Sequence, residues 1–351
     1  MRKITVIVMS TLLMISSILT GCTRTESKEN DKNHISSKKD KLKIVTTLFP
    51  QYDFAKQVAG DKADVKMILS PGQDSHSFEP TPEDIKKIQN ADIFIYNGGE
   101  AEEWIEKIID SVDTKKVNAI KMMDYVKAVK EEEVEGMEPE VEYDHDHDHD
   151  KEKSHKHDEN DNHNHNEEYD NHNHNEEYDE HIWTSPKNAK NMVEAIKNTL
   201  VKVDNTNEKY YNANYENYTK KLDELDKSLA NTVANAKRKM IVLGDKFPFR
   251  YLAKDYGLTY RAAFNGCSTQ TEPSIETVTY LIKTVRENKI PVIYHIEMSN
   301  KKIAKTISDE TGAKVLLLHS AHNVTKEDFD KGITYIDIMN NNIGNLKEGL
   351  Q

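Results

Sequence analysis

Cysteine is nearly absent from this chain: Cys22 and Cys267 are its only two in 351 residues. No network of disulfides can hold such a protein, even in a compartment that would permit one. Long hydrophobic runs are also missing. The apolar stretch at residues 4–19 has 16 residues, short for a helix that crosses a bilayer. There is no basic stripe interleaved with aromatics, which excludes a nucleic-acid partner. Neither a His-Glu-x-x-His helix nor a Gly-x-Ser-x-Gly elbow occurs. The open metal position, bound water and nearby base of a zinc hydrolase have no evident source, so an enzyme is not expected.

What the chain has in excess is histidine, concentrated in one place. Ten of its fifteen histidines fall between Asp144 and His181, among Asp, Glu and Asn. Nine of them are His145, His147, His149, His155, His157, His163, His165, His172 and His174. The nonapeptide Asn-His-Asn-His-Asn-Glu-Glu-Tyr-Asp occurs twice in succession, at 162–170 and 171–179. No apolar periodicity runs through the segment, so it is no core element. Imidazole and carboxylate are the commonest protein ligands of divalent transition metals. The segment therefore reads as a solvated loop that collects metal, with many weak, exchanging sites. It also carries the chain's acidity. Residues 131–180 hold 22 acids against 3 lysines, a balance of −19 in a chain of net charge −13. The remainder is about +6, so the acidic field belongs to the loop, where it would concentrate cations.

The N-terminus reads as an export signal. Arg2 and Lys3 precede the apolar stretch, and Leu19-Thr20-Gly21-Cys22 closes it. That tetrapeptide resembles the bacterial lipobox, after which Cys22 becomes the lipidated first residue. Removal of residues 1–21 leaves 330 of the 351 residues. Acyl chains on Cys22 would hold the protein on the outer face of the membrane. Residues 22–41 are polar and read as a tether.

Beyond the tether, strand and helix patterns alternate. Residues 43–49, 65–69, 91–96 and 117–120 read as strands, with helices at 51–59, 82–89 and 102–109. That order predicts a parallel sheet flanked by helices. A helical run from Ser185-Pro186 to about Val203 follows the acidic loop, and a second spans about 208–237. In the second, Tyr211, Tyr215, Tyr218, Leu222, Leu225 and Leu229 recur at spacings of three and four, one apolar face. A helix of about 30 residues is about 45 Å long, too long for one small lobe, so it is expected to bridge two. The alternation then resumes: strands at 240–243, 259–264, 292–296 and 314–318, helices at 249–256, 275–287 and 299–311. The fold class expected is α/β, two lobes each with a parallel sheet, joined by one long rigid helix. The lobes are residues 42–206, which contain the acidic loop 131–180, and 239–351; the linking helix is 207–238. Ligands of open α/β sheets sit beyond the carboxyl ends of the strands, so the cleft between lobes is the natural site.

Three histidines stand at such strand ends or loops: His76, in a segment rich in Ser and Pro; His181, just before a helix; and His319, after the apolar run 315–318. One histidine so placed is usually structural, but three across both lobes point to a shared ligand. His295, inside an apolar strand, reads as a satisfied core residue. Cys267 is either a small buried residue or a soft ligand.

The mature chain resembles the solute-binding lipoproteins of bacterial ABC importers for zinc and manganese. The resemblance rests on the lipobox, the segment His76 to Pro82, Asn97-Gly98-Gly99 with Trp104, and His181-Ile182-Trp183-Thr184-Ser185-Pro186. Tyr251 to Leu258 and Glu272-Pro273-Ser274 extend it. The acidic His loop ahead of His181 is typical of the zinc-directed members. The resemblance implies two lobes on a rigid helix with metal buried between them, and His76 and His181 as ligands from the first lobe. In the second lobe the sequence departs from the family pattern. The position of an expected histidine is taken by Lys246, with Asp245 beside it, and the position of an expected acid by His319. The ligand set expected is thus His76, His181, Asp245 and His319. Cys267 and His322 stand in reserve, as ligands or as donors that orient one. Three imidazoles and a carboxylate suit tetrahedral Zn²⁺ better than Mn²⁺. The function implied is capture of Zn²⁺ and its delivery to a membrane permease and its ATPase, by an exported, lipid-anchored monomer. The alternatives are a receptor for manganese or another divalent metal, or a surface lipoprotein for metal storage or adhesion.

Overall fold

Among the described residues, eight strands form two four-stranded sheets, and a long helix lies between them in the chain. The structure, a computed structural model, describes residues 41–75, 77–109, 112–113, 115–139 and 178–351. The signal segment, the tether with Cys22, His76 and the nine loop histidines lie outside the described residues. In the first lobe β1 (Leu42–Thr46), β2 (Ala63–Met67), β3 (Ile93–Tyr96) and β4 (Asn118–Lys121) pair in the order β2-β1-β3-β4, all parallel. Helices α1 (Phe49–Ala59), α2 (Pro82–Gln89) and α3 (Glu103–Ile109) connect them. Thr81 starts α2 with a reciprocal capping box to Asp84, satisfying donors that have no partner inside the helix.

Next come α4 (Pro186–Val203), capped by Ser185, and α5 (Glu208–Ala234). At 27 residues, α5 is about 40 Å long. Its buried stripe is Tyr211, Tyr218, Leu222, Leu225, Leu229 and Val233. The second lobe repeats the first: β5 (Met240–Phe247), β6 (Thr259–Asn265), β7 (Val292–His295) and β8 (Lys314–Leu317) lie in the order β6-β5-β7-β8, again all parallel. Its crossovers are α6 (Arg250–Tyr256), α7 (Ile275–Glu287) and α8 (Lys302–Thr311). The central strands read as nearly continuous apolar runs because a parallel sheet is covered on both faces.

Two features go beyond the sequence reading. First, the chain ends in two further helices, α9 (Lys326–Asp330) and α10 (Tyr335–Leu350). The α10 N-terminus docks on the first lobe, where the Tyr335 N–H donates to Asp53 of α1 (3.1 Å) and its hydroxyl to the Trp183 carbonyl (2.7 Å). Tyr218 of α5 donates to the same Asp53 carboxylate (3.1 Å). So α5 is not the sole bridge. Second, residues 131–139, expected as the start of the solvated loop, are packed against the second lobe. Glu138 donates its N–H to the Ala263 carbonyl (2.9 Å) and accepts from the Ser274 N–H (2.7 Å). Val129 donates its N–H to the Tyr251 hydroxyl, which donates in turn to the Asp179 carbonyl. A bridge between Lys130 and Tyr178 closes the far end of this strap.

The core follows the same plan. One continuous apolar cluster runs through α1, α4, α5, α6 and α10 and takes in residues of both sheets, from Ile44 to Tyr294. The outer face of each sheet has its own separate cluster, around Phe94 and Ile105 in the first lobe and around Leu281 and Ile293 in the second.

Candidate metal centre

The carboxyl ends of both sheets open on one cleft of about 410 Å³. Ser75, from the loop after β2, and His181 line it from the first lobe; Asp245, Gly266, Glu297 and His322 line it from the second. Parallel strands all deliver their carboxyl ends to the same edge, so the loops that follow them converge there.

His181 is 2% exposed. Asp179 Oδ1 accepts from its backbone N–H (2.7 Å) and lies 3.2 Å from its Nδ1. Burial, the largest single effect, would lower the imidazole pKa, but the charge and hydrogen bond of Asp179 together with the charges of Glu131 and Glu180 outweigh it and the net shift is upward. The Asn97-Gly98-Gly99 turn sets this segment in place. Asn97 donates to the Glu180 carbonyl (2.9 Å), and the Ala101 N–H donates to the Glu180 carboxylate (2.9 Å). Gly99 has φ +97°, and a Cβ there would stand 2.5 Å from the Glu180 side chain. Glycine is needed on both counts. Gly266 matters differently: a Cβ on it would meet the His181 ring at 3.2 Å.

From the other lobe, the His322 ring stands across His181 with centroids 5.4 Å apart and planes at 82°. Its Nε2 is 2.6 Å from the Ser75 hydroxyl. Trp183, wholly buried, lies beneath both rings, at 5.5 Å from His181 and 5.2 Å from His322. Its indole N–H donates to the Ser320 carbonyl (2.8 Å). The turn that carries His322 is held by Glu297, which accepts from the N–H groups of Ser320 (2.7 Å) and His322 (3.2 Å) and from the Ser320 hydroxyl. Asn323 donates to the carbonyls of Ser70 and Gln73 (2.8 Å each), which stitches the loop leading to His76 onto the same turn.

The expected ligands fare unequally. His181 reaches the cleft, and Ser75, beside His76, lines it. His319 does not line it: its Nδ1 accepts from the Ala321 N–H (2.9 Å) and sits 3.4 Å from Glu297. Ala321 holds a left-handed backbone, φ +62°, and past it the chain turns His322, not His319, toward the first lobe. Asp245 lies in the cleft wall, at a register shift in β5 between Leu243 and Lys246. Its carboxylate accepts from the N–H groups of Lys246 (3.0 Å) and Ile296 (3.4 Å), and burial raises its pKa. His295 is buried, with Nδ1 2.7 Å from the Ile296 carbonyl, as expected of a core residue.

One candidate ligand was not foreseen. Glu131, His181 and Cys267 bring a carboxylate oxygen, a ring nitrogen and a sulfur within 4.8 Å of one another. Burial, then the charge of Asp179, pushes Glu131 up to about 7. Burial and the charge of Glu131 raise the Cys267 thiol well above its ordinary value. Nothing in the sequence separates Glu131 from the other acids of its run; only the strap's docking singles it out.

Two matching parallel sheets, a helical spine and a cleft lined by His181 and His322 define a two-lobed α/β protein with a histidine-lined crevice. The family model for the zinc-uptake complex component A, periplasmic (ZnuA), matches residues 44–349, and the chain belongs to that family. The high-affinity zinc uptake system protein ZnuA of Bacillus subtilis is 36% identical over 322 residues, 91% of each chain. The zinc-binding lipoprotein AdcA of Streptococcus pneumoniae is 34% identical over 309 residues, 88% of this chain and 56% of its own length. The chain thus spans little more than half of that relative. Among solved structures, the Zn(II)-bound ZnuA-like domain of S. pneumoniae AdcA superposes with a TM-score of 0.68 at 32% identity, covering 89% of this chain and 99% of that one. The metal-dependent lipoprotein YcdH of B. subtilis gives 0.69 at 31% identity, covering 89% and 100%. These relatives are named for zinc binding or zinc uptake.

Proposed function

We propose that the chain is the extracytoplasmic receptor of an ABC importer: it captures Zn²⁺ in the cleft and surrenders it to a membrane permease driven by an ATPase. The observation that carries the proposal is the pair of imidazoles, buried His181 and half-buried His322, presented by opposite lobes with ring centroids 5.4 Å apart. Imidazole nitrogens bind Zn²⁺ at about 2.0–2.1 Å, and a site between two lobes can be gated by their contacts with a partner. His76 completes the proposed imidazole set, and His322 takes the role expected of His319. Trp183 and the Glu297-held turn act as supports, since ligands need partners that fix their orientation.

The remaining parts of the reading start from the sequence. Cys22 carries the lipid that keeps the monomeric protein on the outer membrane face. The His-rich loop gathers zinc and passes it on to His181. Support comes from the strap: Pro139 and Tyr178, which flank the undescribed loop, both stand in the fold near the cleft, Pro139 accepting from Gln270 (2.9 Å) and Tyr178 pairing with Lys130.

Calorimetric titration of the metal-stripped protein is the test. One tight zinc equivalent is expected, weakened at least about 100-fold by His181→Ala. Deleting residues 140–177 should keep that equivalent and remove the weaker ones. A loop deletion that abolishes the tight equivalent, or a His181→Ala protein with undiminished affinity, overturns the proposal.

A further inference from the structure

The cluster of Glu131, His181 and Cys267 is not explained by two or three imidazoles alone. Its ligand atoms lie within 4.8 Å of one another. Bonds of about 2.0–2.3 Å to a tetrahedral ion place ligand atoms roughly 3.4–3.8 Å apart. The set is therefore at most about an ångström wider than a closed site, a gap side-chain rotation can cover. The surroundings point the same way. Asp179 is wholly buried and stands against the cluster, its Oδ1 3.2 Å from His181 Nδ1, while its Oδ2 has no hydrogen-bond partner. Glu131 Oε1, also buried, has none. The Arg250 guanidinium, whose charge reaches Glu131, is engaged with Glu132. Buried acids with idle oxygens are costly, and a metal cation joined to them would offset that cost.

We infer that Cys267 and Glu131, which do not themselves line the cleft, join His181 in holding a metal ion, so that this receptor binds metal through a thiolate and a carboxylate besides imidazole. The inference rests on the metal-receptor reading above and deepens it. Coordination replaces the S–H bond of Cys267 by a sulfur–metal bond and releases the proton to solvent. A soft sulfur ligand favours Zn²⁺ and disfavours Mn²⁺, which prefers oxygen. It also accounts for the second lobe, where Asp245 is turned to backbone donors and Lys246 has no lone pair to offer while protonated. Glu131 comes from the strap that leads into the His-rich loop, so occupancy of the site would tighten the strap's hold on the second lobe.

Cobalt reports sulfur directly. The full chain, stripped of metal, is given one equivalent of Co²⁺ and its absorption recorded, with Cys267→Ser in parallel. The expected result is an intense near-ultraviolet sulfur-to-cobalt band in the parent protein, lost in Cys267→Ser while the weaker visible bands of bound cobalt remain. Alkylation by iodoacetamide, located by peptide mass, gives a second reading without any variant. Zinc should protect Cys267 at least tenfold. Visible cobalt bands without the sulfur band, or a Cys267 alkylated equally with and without zinc, overturns the thiolate and leaves the receptor reading intact. No bound cobalt and no bound zinc at one equivalent overturns both.

Discussion

His319 and His322 lie on one turn, three residues apart, and their fates differ for reasons of backbone. Glu297 anchors the N–H groups of Ser320 and His322, Ala321 takes a left-handed conformation, and the chain emerges with His322 facing Ser75 and His181. We predict that His322→Ala lowers zinc affinity at least about 100-fold, near 2.7 kcal/mol, while His319→Ala stays within about threefold. A chelator competition titration measures both, and the opposite order would remove His322 from the site.

A second residue, Glu102, gives a pH signature. It is 4% exposed, accepts from the N–H groups of Asn97 (2.7 Å) and Gly98 (2.8 Å), and burial pushes its pKa up to about 7 from an ordinary 4.5. A folded-state pKa above the unfolded one means stability present in full below pH 4.5 and lost as pH rises to about 7. The loss is at most about 3 kcal/mol. Glu102→Gln keeps an acceptor for both N–H groups and removes the charge. Its melting temperature should exceed the parent's at pH 8 and match it near pH 5. A variant less stable than the parent at pH 8 would contradict the argument.

At the scale of elements, α10 is the piece the sequence left unmarked. Its apolar positions are interleaved with a run of asparagines and a glycine, Asn340 to Asn345, a composition that reads as a loop. Packing overrides it: Tyr335, Ile338, Met339, Leu346 and Leu350 are buried, and tertiary burial outweighs weak helix propensity. Thr334 starts the helix with a capping box to Asp337. Thr334→Ala should cost about 1 kcal/mol, seen as a lower denaturation midpoint with unchanged zinc affinity. A fall in affinity would mean that α10 also sets the geometry of the cleft. The strap at 131–139 makes the complementary point. Its composition is that of the acidic run around it, and only the edge of β6 and the N-terminus of α7, which receive Glu138, distinguish it.

For the whole molecule, the shared core decides how it moves. α5 and α10 both touch the two lobes, and one apolar cluster crosses between them. Parting the lobes would expose that cluster, at about 25 cal/mol per Å² of apolar surface, so a wide hinge opening is disfavoured. We predict that saturating zinc raises the melting temperature, with about 2.7 kcal/mol of stabilisation at a hundredfold excess over Kd. The radius of gyration from X-ray scattering of the loop-deleted protein should meanwhile stay nearly constant. A contraction of several ångströms would show a hinge that this packing forbids.

The sequence by itself determined the alternation of strand and helix in each half, the tyrosine and leucine stripe of α5, and the placing of histidines beyond strand ends. Those are local properties, set by periodicity and by the direction of parallel strands. Which side chains converge was decided only by tertiary structure. The β5 register shift beside Asp245, the left-handed Ala321 before His322, and the strap that carries Glu131 to Cys267 all depend on contacts between residues far apart in the chain. No spacing along the sequence encodes such contacts.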